Sequence, residues 1–284
     1  MNLHNTFLFG TVGSPKTTPK KPGGSVGSIL HLKTLGLSAL ELGWVQSVRV
    51  SEATCADICA TCHDNDFRLS VHAPYFINLN ATEDEWPKSR KRLMDAAHYG
   101  NLAGATDIIF HPGSYFGQPP EEVLPKAIER LRGCVEELRA AGNPVILRPE
   151  TMGKIAMLGS LADTLAMSKA IPGVEPCLDF AHLHARAGDG SMNSKAEWLA
   201  VLDGYAHELG AESLQRLHIH LSGIEYGEKG ERNHVALEES DFALDELFSA
   251  LHERGCAGRM LCESPEMEDD ALKMQQRWLE IAEG

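Results

Sequence analysis

The feature that most constrains this chain is a rhythm: short apolar runs alternate with amphipathic helical patterns from one end to the other. The runs fall at 7–12, 39–44, 68–74, 107–112, 144–150, 175–180, 217–222 and 259–263. The patterns between them carry their own start and stop signals. "PEEVLPKAIERLRGCVEELRAAG" stops at Gly142 behind basic residues, and "DFALDELFSALHERG" offers Asp241 as N-cap and Gly255 as terminator. Continuous apolar strands alternating with helices imply a parallel sheet covered on both faces. Eight such units in 284 residues favour a (β/α)8 TIM barrel, one α/β domain spanning 1–284, over an open doubly wound sheet. The Pro-, Gly- and Lys-rich segment 14–28 reads as a long first βα loop, with helix 1 opening near Ser28. Its glycines do not match G-x-G-x-x-G, so a dinucleotide site has little support.

Composition narrows the function classes. No apolar run approaches the ~20 residues of a membrane span. The start "MNLHNTFLFG" has no basic segment leading into an apolar one, so a cytoplasmic protein is expected. The formal charge of −14 argues against non-specific nucleic-acid binding through a broad basic face, though not against a local site. Seven cysteines then imply free thiols in a reducing compartment. Three of them, Cys55, Cys59 and Cys62, have the C-x3-C-x2-C spacing seen in radical S-adenosylmethionine enzymes. The same spacing is one helix face, and Ser51 and Glu52 ahead of it are helix-start residues, so a helix is the better reading.

In a barrel, chemistry collects at the C-terminal ends of the strands. Here those ends are rich in ligand-type side chains. Strand 3 delivers His72, strand 4 His111, strand 5 Glu150, and strand 6 Asp179 followed by His182. Strand 7 delivers His218 or His220, strand 8 Glu263, and a later loop Glu231 and His234. Any one of them has a plain explanation as a solvent-facing polar residue or a helix cap. Six consecutive strands doing the same thing is a different matter, because clustered buried carboxylates need cations or protons to neutralise them. Imidazole nitrogen and carboxylate oxygen suit Zn2+, Mn2+ or Fe2+. His218 and His220 share a pleat face; His220 lies nearer the strand end and is preferred, leaving His218 as a supporting or core residue.

With these residues in place, the chain resembles the endonuclease IV family of apurinic/apyrimidinic endonucleases. "HAPYFINL", "FHPGS", "PET-G", "LDFAH", "HLSG" and "LCESP" occur in that family's order from strand 3 to strand 8. The resemblance implies a TIM barrel holding up to three zinc ions. His72 and His111 would hold one, bridged by Glu150 to a second that also takes Asp179, His220 and Glu263. His182, Glu231 and His234 would hold the third, and His184 has no part in the pattern. It further implies backbone hydrolysis 5′ to abasic sites in double-stranded DNA, by a hydroxide bridging the metals, with Glu150 central to the chemistry. Tyr75 and Phe76 match a place where the family enters the duplex.

The chain also departs from the pattern. The loop after strand 2 keeps Arg49 but not the family's polar, arginine-bearing sequence, and "RPETMGK" replaces Glu-Asn-Thr-Ala-Gly. The third-metal loop reads Glu-Arg-Asn-His for Asp-Arg-His, so Asn233 competes with His234.

Three functions compete. A DNA phosphodiesterase of repair, acting as a monomer, uses every ligand. A sugar isomerase or epimerase on the same barrel needs one metal and only Glu150, Asp179, His220 and Glu263. A catalytically silent barrel binding metal or nucleic acid would leave the ligands without a task. The additional His72, His111, His182 and His234 favour the first.

Overall fold

The apolar runs form eight parallel strands around a nearly closed barrel in the computed structural model, which describes residues 7–283. The expected domain bounds of 1–284 and the leader-free start therefore fall partly outside the described residues. The barrel strands are β1 (Phe7–Val12), β2 (Ala39–Gly43), β3 (Arg68–His72) and β4 (Asp107–Phe110), then β5 (Ile146–Pro149), β6 (Cys177–Asp179), β7 (Leu217–Leu221) and β10 (Gly258–Cys262). They pair in the order β5-β4-β3-β2-β1-β10-β7-β6. The remaining seam is closed by parallel bridges Leu147–Val174 and Glu150–Cys177, helped by a Thr151 N–H to Cys177 carbonyl bond of 3.0 Å. β1 and β2 approach so closely that a Cβ on Gly10 would lie 1.8 Å from the Ala39 carbonyl oxygen, so no larger residue fits there.

Helices cover the outside. α1 (Gly24–Thr34) begins four residues before the expected Ser28, because the long loop ahead of it is shorter than its composition suggests. α2 (Glu52–Asp64) is capped by Ser51 accepting from the Thr54 N–H, and buries Cys55 and Cys62 as core residues. The three cysteines thus lie on a helix, as their spacing allows. α3 spans Trp86–Leu102. α4 (Pro120–Ala140) buries Val123, Ala127, Leu131, Cys134 and Leu138, one stripe of a 3.6-residue repeat. α5 (Leu161–Ala170) and α7 (Lys195–Leu209) open with capping boxes, Ser160 with Asp163 and Ser194 with Glu197. α6 (Phe180–Arg186), α8 (Leu244–Glu253) and α9 (Glu268–Glu283) complete the set.

Two local expectations are corrected. Asp241 does not cap α8, whose N-cap position is Ala243. Its carboxylate instead accepts from the Tyr226 hydroxyl at 2.7 Å and lies 3.0 Å from Nε2 of the buried His184, a stronger demand for an acceptor than an exposed helix end. The loop after β7 is not irregular throughout: β8 (Gly223–Gly227) and β9 (Gly230–Val235) form an antiparallel hairpin beside the barrel mouth. No described helix is long and apolar enough to cross a membrane.

The loops after β3 and β4 are tied together by the asparagines of "HAPYFINLN". Asn78 Oδ1 accepts from the Asn80 N–H at 2.8 Å, and Asn80 Nδ2 donates to the carbonyls of Ser114 and Tyr115 at 3.1 and 3.2 Å. These bonds fix the rim above which the polar residues gather.

Candidate metal centre

Each buried histidine at the barrel mouth turns one ring nitrogen to an oxygen behind it and the other inward. His72 Nδ1 lies 2.9 Å from the Ala73 carbonyl, and His182 Nδ1 lies 2.9 Å from the Thr151 carbonyl. A carbonyl only accepts, so these nitrogens carry a proton, and in the neutral ring each Nε2 keeps its lone pair. The same device orients histidines in metal sites generally. His220 Nε2 instead faces a carboxylate, Glu41, whose Oε1 lies 3.0 Å away but out of hydrogen-bond alignment, and Nδ1 faces the mouth.

Asp179 ends β6 and is the N-cap of α6. Its Oδ1 accepts from the His182 N–H at 2.7 Å, while Oδ2 is buried without a hydrogen-bond partner. The Thr151 hydroxyl grips the same residue from both sides, accepting from its N–H at 2.8 Å and donating to its carbonyl at 3.1 Å. His182 therefore sits in the first turn of a helix rather than in a loop, because Asp179 starts that helix at the end of the strand.

The inward atoms fall into connected groups. Glu150, Asp179, His220 and Glu263 offer ligand atoms all within 4.8 Å of one another, as do His72, His111 and Glu150. Asp179, His182 and His234 form a further group. Glu150 joins the first two: its Oε2 is 3.1 Å from His72 Nε2 and 3.4 Å from His111 Nε2, and its Oε1 is 3.6 Å from His220 Nδ1. Glu263 Oε1 lies 3.4 Å from His220 Nδ1. In the outer group the Nε2 atoms of His182 and His234 are 3.1 Å apart, with Glu231 Oε2 3.5 Å from His182 Nε2. Two ligands at about 2.0–2.1 Å on a tetrahedral ion stand roughly 3.3 Å apart, so these spacings match neighbours around a shared cation.

The donor set also needs one. Among the described residues, five of nine buried unpartnered side-chain atoms belong to Glu41, Glu150, Asp179 and His220. Glu150 Oε1, Asp179 Oδ2 and His220 Nδ1 converge at one place. Burial penalises the charge on Glu150, yet His111, His182 and His220 hold its carboxyl well below the usual range. Burial pushes Asp179 up to about 6, His182 opposing and the charges of Glu263 and Glu150 adding to it. Burial opposes protonation of His182, but Asp179 and Glu150 outweigh it and raise the imidazole to about 10. Two or three divalent cations would relieve this conflict by replacing the missing partners. The residues present fit such ions.

The structure thus brings together His72, His111, Glu150, Asp179, His182, His220, Glu231, His234 and Glu263. Asn233 is exposed on β9, its amide donating to Glu225 at 3.2 Å, while His234 turns toward His182. His184 is fully buried, paired with Asp241 and the Met192 carbonyl, away from the groups above. His218 Nε2 is bonded to Glu41 Oε2 at 2.9 Å, below the mouth. Cys177 joins His218 and His220 in a fourth compact group, but both histidines are committed there to Glu41, and burial keeps the Cys177 thiol protonated.

A cavity of about 340 Å3 over the site is lined by Tyr75, His111, Met152, His182, Glu231, Arg232, Asn233, His234 and Glu263. Tyr75 stacks on His111 with ring centroids 4.9 Å apart and is 46% exposed. Phe76, 57% exposed, stands on the rim with the Arg92 guanidinium 5.7 Å over its ring. Arg49 lies in the exposed segment after β2 and does not line this cavity.

Sequence reasoning missed Glu41, Thr151 and Gly153. Glu41 stands in the apolar run "ALELG", where a carboxylate between two buried leucines was the available signal. At Gly153 a Cβ would lie 2.7 Å from Glu231 Cβ and 3.0 Å from His182 Cδ2, so only glycine lets β9 close over the outer group.

A family model described as "Xylose isomerase-like TIM barrel" matches residues 29–282. The chain belongs to that family. Within it, the chain is 33% identical over 282 residues to an uncharacterised protein of Methanocaldococcus jannaschii, covering 99% of this chain and 100% of the relative. It is 30% identical over 220 residues to endonuclease 4 of Thermus thermophilus, covering 75% of each. Among solved structures, an endonuclease IV from Thermus thermophilus superposes with a TM-score of 0.66 at 23% identity, over 95% of this chain and 98% of that one. A D-tagatose 3-epimerase-like protein superposes with a TM-score of 0.69 at 17% identity, over 96% and 98%. At these identities the structural likenesses speak for the barrel alone.

Proposed function

We propose that this protein is a metal-dependent DNA phosphodiesterase that cuts the backbone 5′ to abasic sites, as a cytoplasmic monomer of base-excision repair. The observation that carries the reading is the continuity of the three ligand groups, with Glu150 facing two of them through different oxygens. The similarity to endonuclease 4 of Thermus thermophilus supports it.

Zn2+ is the metal best suited to this mixed imidazole and carboxylate set, with Mn2+ or Fe2+ as alternatives. Bound there, two or three such ions supply Lewis acidity to a phosphodiester and lower the pKa of an attacking water. The chain's own residues do the rest. Glu150 holds the His72–His111 pair and the central group in one fixed relation. Tyr75 closes one wall of the cavity, and Tyr75 with Phe76 can fill the gap where a base is missing, where little stacking must be broken. Arg49, on the neighbouring loop, offers a charge to the sugar–phosphate backbone; that loop is joined to Tyr75 by a 2.9 Å bond from the Tyr75 N–H to the Val45 carbonyl.

A duplex carrying one synthetic abasic site, incubated with and without a strong chelator, tests this directly. We expect a single nick that chelation suppresses and that Glu150→Gln abolishes. A fully active Glu150→Gln variant would mean the site is misplaced.

The rival reading is a mononuclear sugar isomerase or epimerase built on Glu150, Asp179, His220 and Glu263. What favours it is the depth of Glu150, Asp179 and His220, which are fully buried, while His111, Glu231 and His234 are partly open. It leaves those outer residues without a task, and so ranks second.

A further inference from the structure

Glu41 is a carboxylate near the site that lies beneath the mouth rather than at it. It leaves β2 into the barrel interior and is fully buried. Its Oε2 accepts from the Ser70 hydroxyl at 2.8 Å and pairs with His218 Nε2 at 2.9 Å; its Oε1 lies 3.0 Å from His220 Nε2. Glu41 Oε1 and His220 Nε2 face each other across that 3.0 Å without the alignment of a hydrogen bond, and neither has another partner among the described residues. Ser70 is the residue directly paired with Glu41 in the adjacent strand β3, whereas the two histidines come from β7, two strands further round the barrel than β1. The carboxylate therefore spans the interior layer immediately beneath the central ligand group.

We propose that Glu41 is a positioning residue for the central metal: as the carboxylate nearest His220 Nε2 it draws the ring proton to that nitrogen and leaves Nδ1 as the ligand atom. An ionised carboxylate only accepts, so with a cation on Nδ1 the one ring proton belongs on Nε2, facing Glu41. Nδ1 faces Glu150 Oε1 and Glu263 Oε1, at 3.6 and 3.4 Å, and would share a cation with them. Ser70 and His218 occupy the second oxygen and fix the carboxylate's orientation. His72 and His182 achieve the same commitment with backbone carbonyls. At His220 the facing oxygen belongs to a side chain, so this one contact can be changed by substitution. Support of this kind typically accounts for roughly 10–100-fold in metal affinity. The inference rests on a metal at the central group and not on the identity of the substrate.

Metal competition against a chromophoric chelator, using Zn2+ and Co2+ alone, reads the effect. Glu41→Gln offers a donor as readily as an acceptor and no longer dictates the tautomer. We expect it to weaken one metal site by roughly 10–100-fold, to alter the Co2+ absorption spectrum, and to leave the other sites unchanged. Glu41→Asp, which keeps the charge but retracts it, should fall between the two. Wild-type affinity and spectrum in Glu41→Gln would overturn the role of Glu41. A wild-type protein with no tight site at all would overturn the metal centre itself. Should the variants fail to fold, long-range 1H–15N correlation on Zn2+-loaded wild-type protein reports the tautomer without substitution. A protonated Nε2 with a coordinated Nδ1 on His220 is expected; the reverse assignment contradicts the proposal.

Discussion

Both ends of the barrel bury carboxylates, and they treat them in opposite ways. At the N-terminal end, Arg148 donates to Asp107 at 2.5 Å and lies 3.1 Å from Glu175, and Arg259 pairs with Asp107 at 3.0 Å. Arg216 completes the network with Glu175 at 2.7 Å. At the C-terminal end, Glu150, Asp179 and His220 are as deeply buried, yet each keeps an atom with no partner. A buried charge that is fully paired contributes to holding the fold; one left open is strained unless something arrives to meet it. That contrast locates the candidate centre before any similarity is considered. It also agrees with the rule that barrels keep chemistry at the C-terminal face and stability at the other.

The comparison can be broken by making the same change at both ends. Asp107→Asn should be the most damaging, costing on the order of 3–5 kcal/mol in denaturant melts, because it removes the carboxylate that pairs with Arg259 and leaves Arg148 with Glu175 alone. Its pH signature follows from the sign of the shift. Burial penalises the Asp107 charge, but Arg148 and Arg259 outweigh it and hold the carboxyl below its ordinary value. Its contribution is therefore complete above the unfolded value of about 3.9 and is lost as pH falls toward the folded one. The variant should lack that acid-side loss; an identical acid limb in both proteins would contradict the assignment.

Asp179→Asn is the counterpart, and its sign should be reversed. In chelator at neutral pH it should stabilise the protein by roughly 1–3 kcal/mol, since an amide can still cap α6 without adding to the crowd of carboxylates. Asp179 is raised to about 6, mainly by burial. Its favourable contribution is thus present below about pH 3.9 and lost as pH rises through about 6, and the wild type should weaken relative to the variant across that window. The same variant should lose the central metal. Destabilisation of the chelated protein would show that Asp179 is structurally paired after all.

Phe76→Ala should have the smallest effect on stability, within about 0.5 kcal/mol, because the ring is mostly in solvent. It should still weaken binding of a duplex with an abasic site while leaving metal content unchanged. Unaltered duplex affinity would remove Phe76 from the proposed contact.

Much of this was readable in the sequence because barrel strands announce themselves as apolar runs and their ends as the polar residues that follow. His72, His111, Glu150, Asp179 and Glu263 all stand at such ends, and position along β7 separates His220 from His218. Glu41 was not readable in this way. It lies inside a run rather than at its end, and its partners are 29 and 177 residues away. The hairpin of β8 and β9 was hidden because its short strands, interrupted by a bulge at Glu225 and Tyr226, are polar along one edge. Asp241 looked like a helix cap because local chemistry permits it; the buried His184, distant in sequence, decided otherwise.

The central claim is that the mouth of this barrel is built for more than one metal. Elemental analysis of the purified protein, after removal of loosely held ions, addresses it most directly. We expect two to three transition-metal ions per chain, falling by about one in Asp179→Asn. One ion or none in the wild type would contradict the trinuclear centre and shift the reading to a mononuclear sugar isomerase or epimerase.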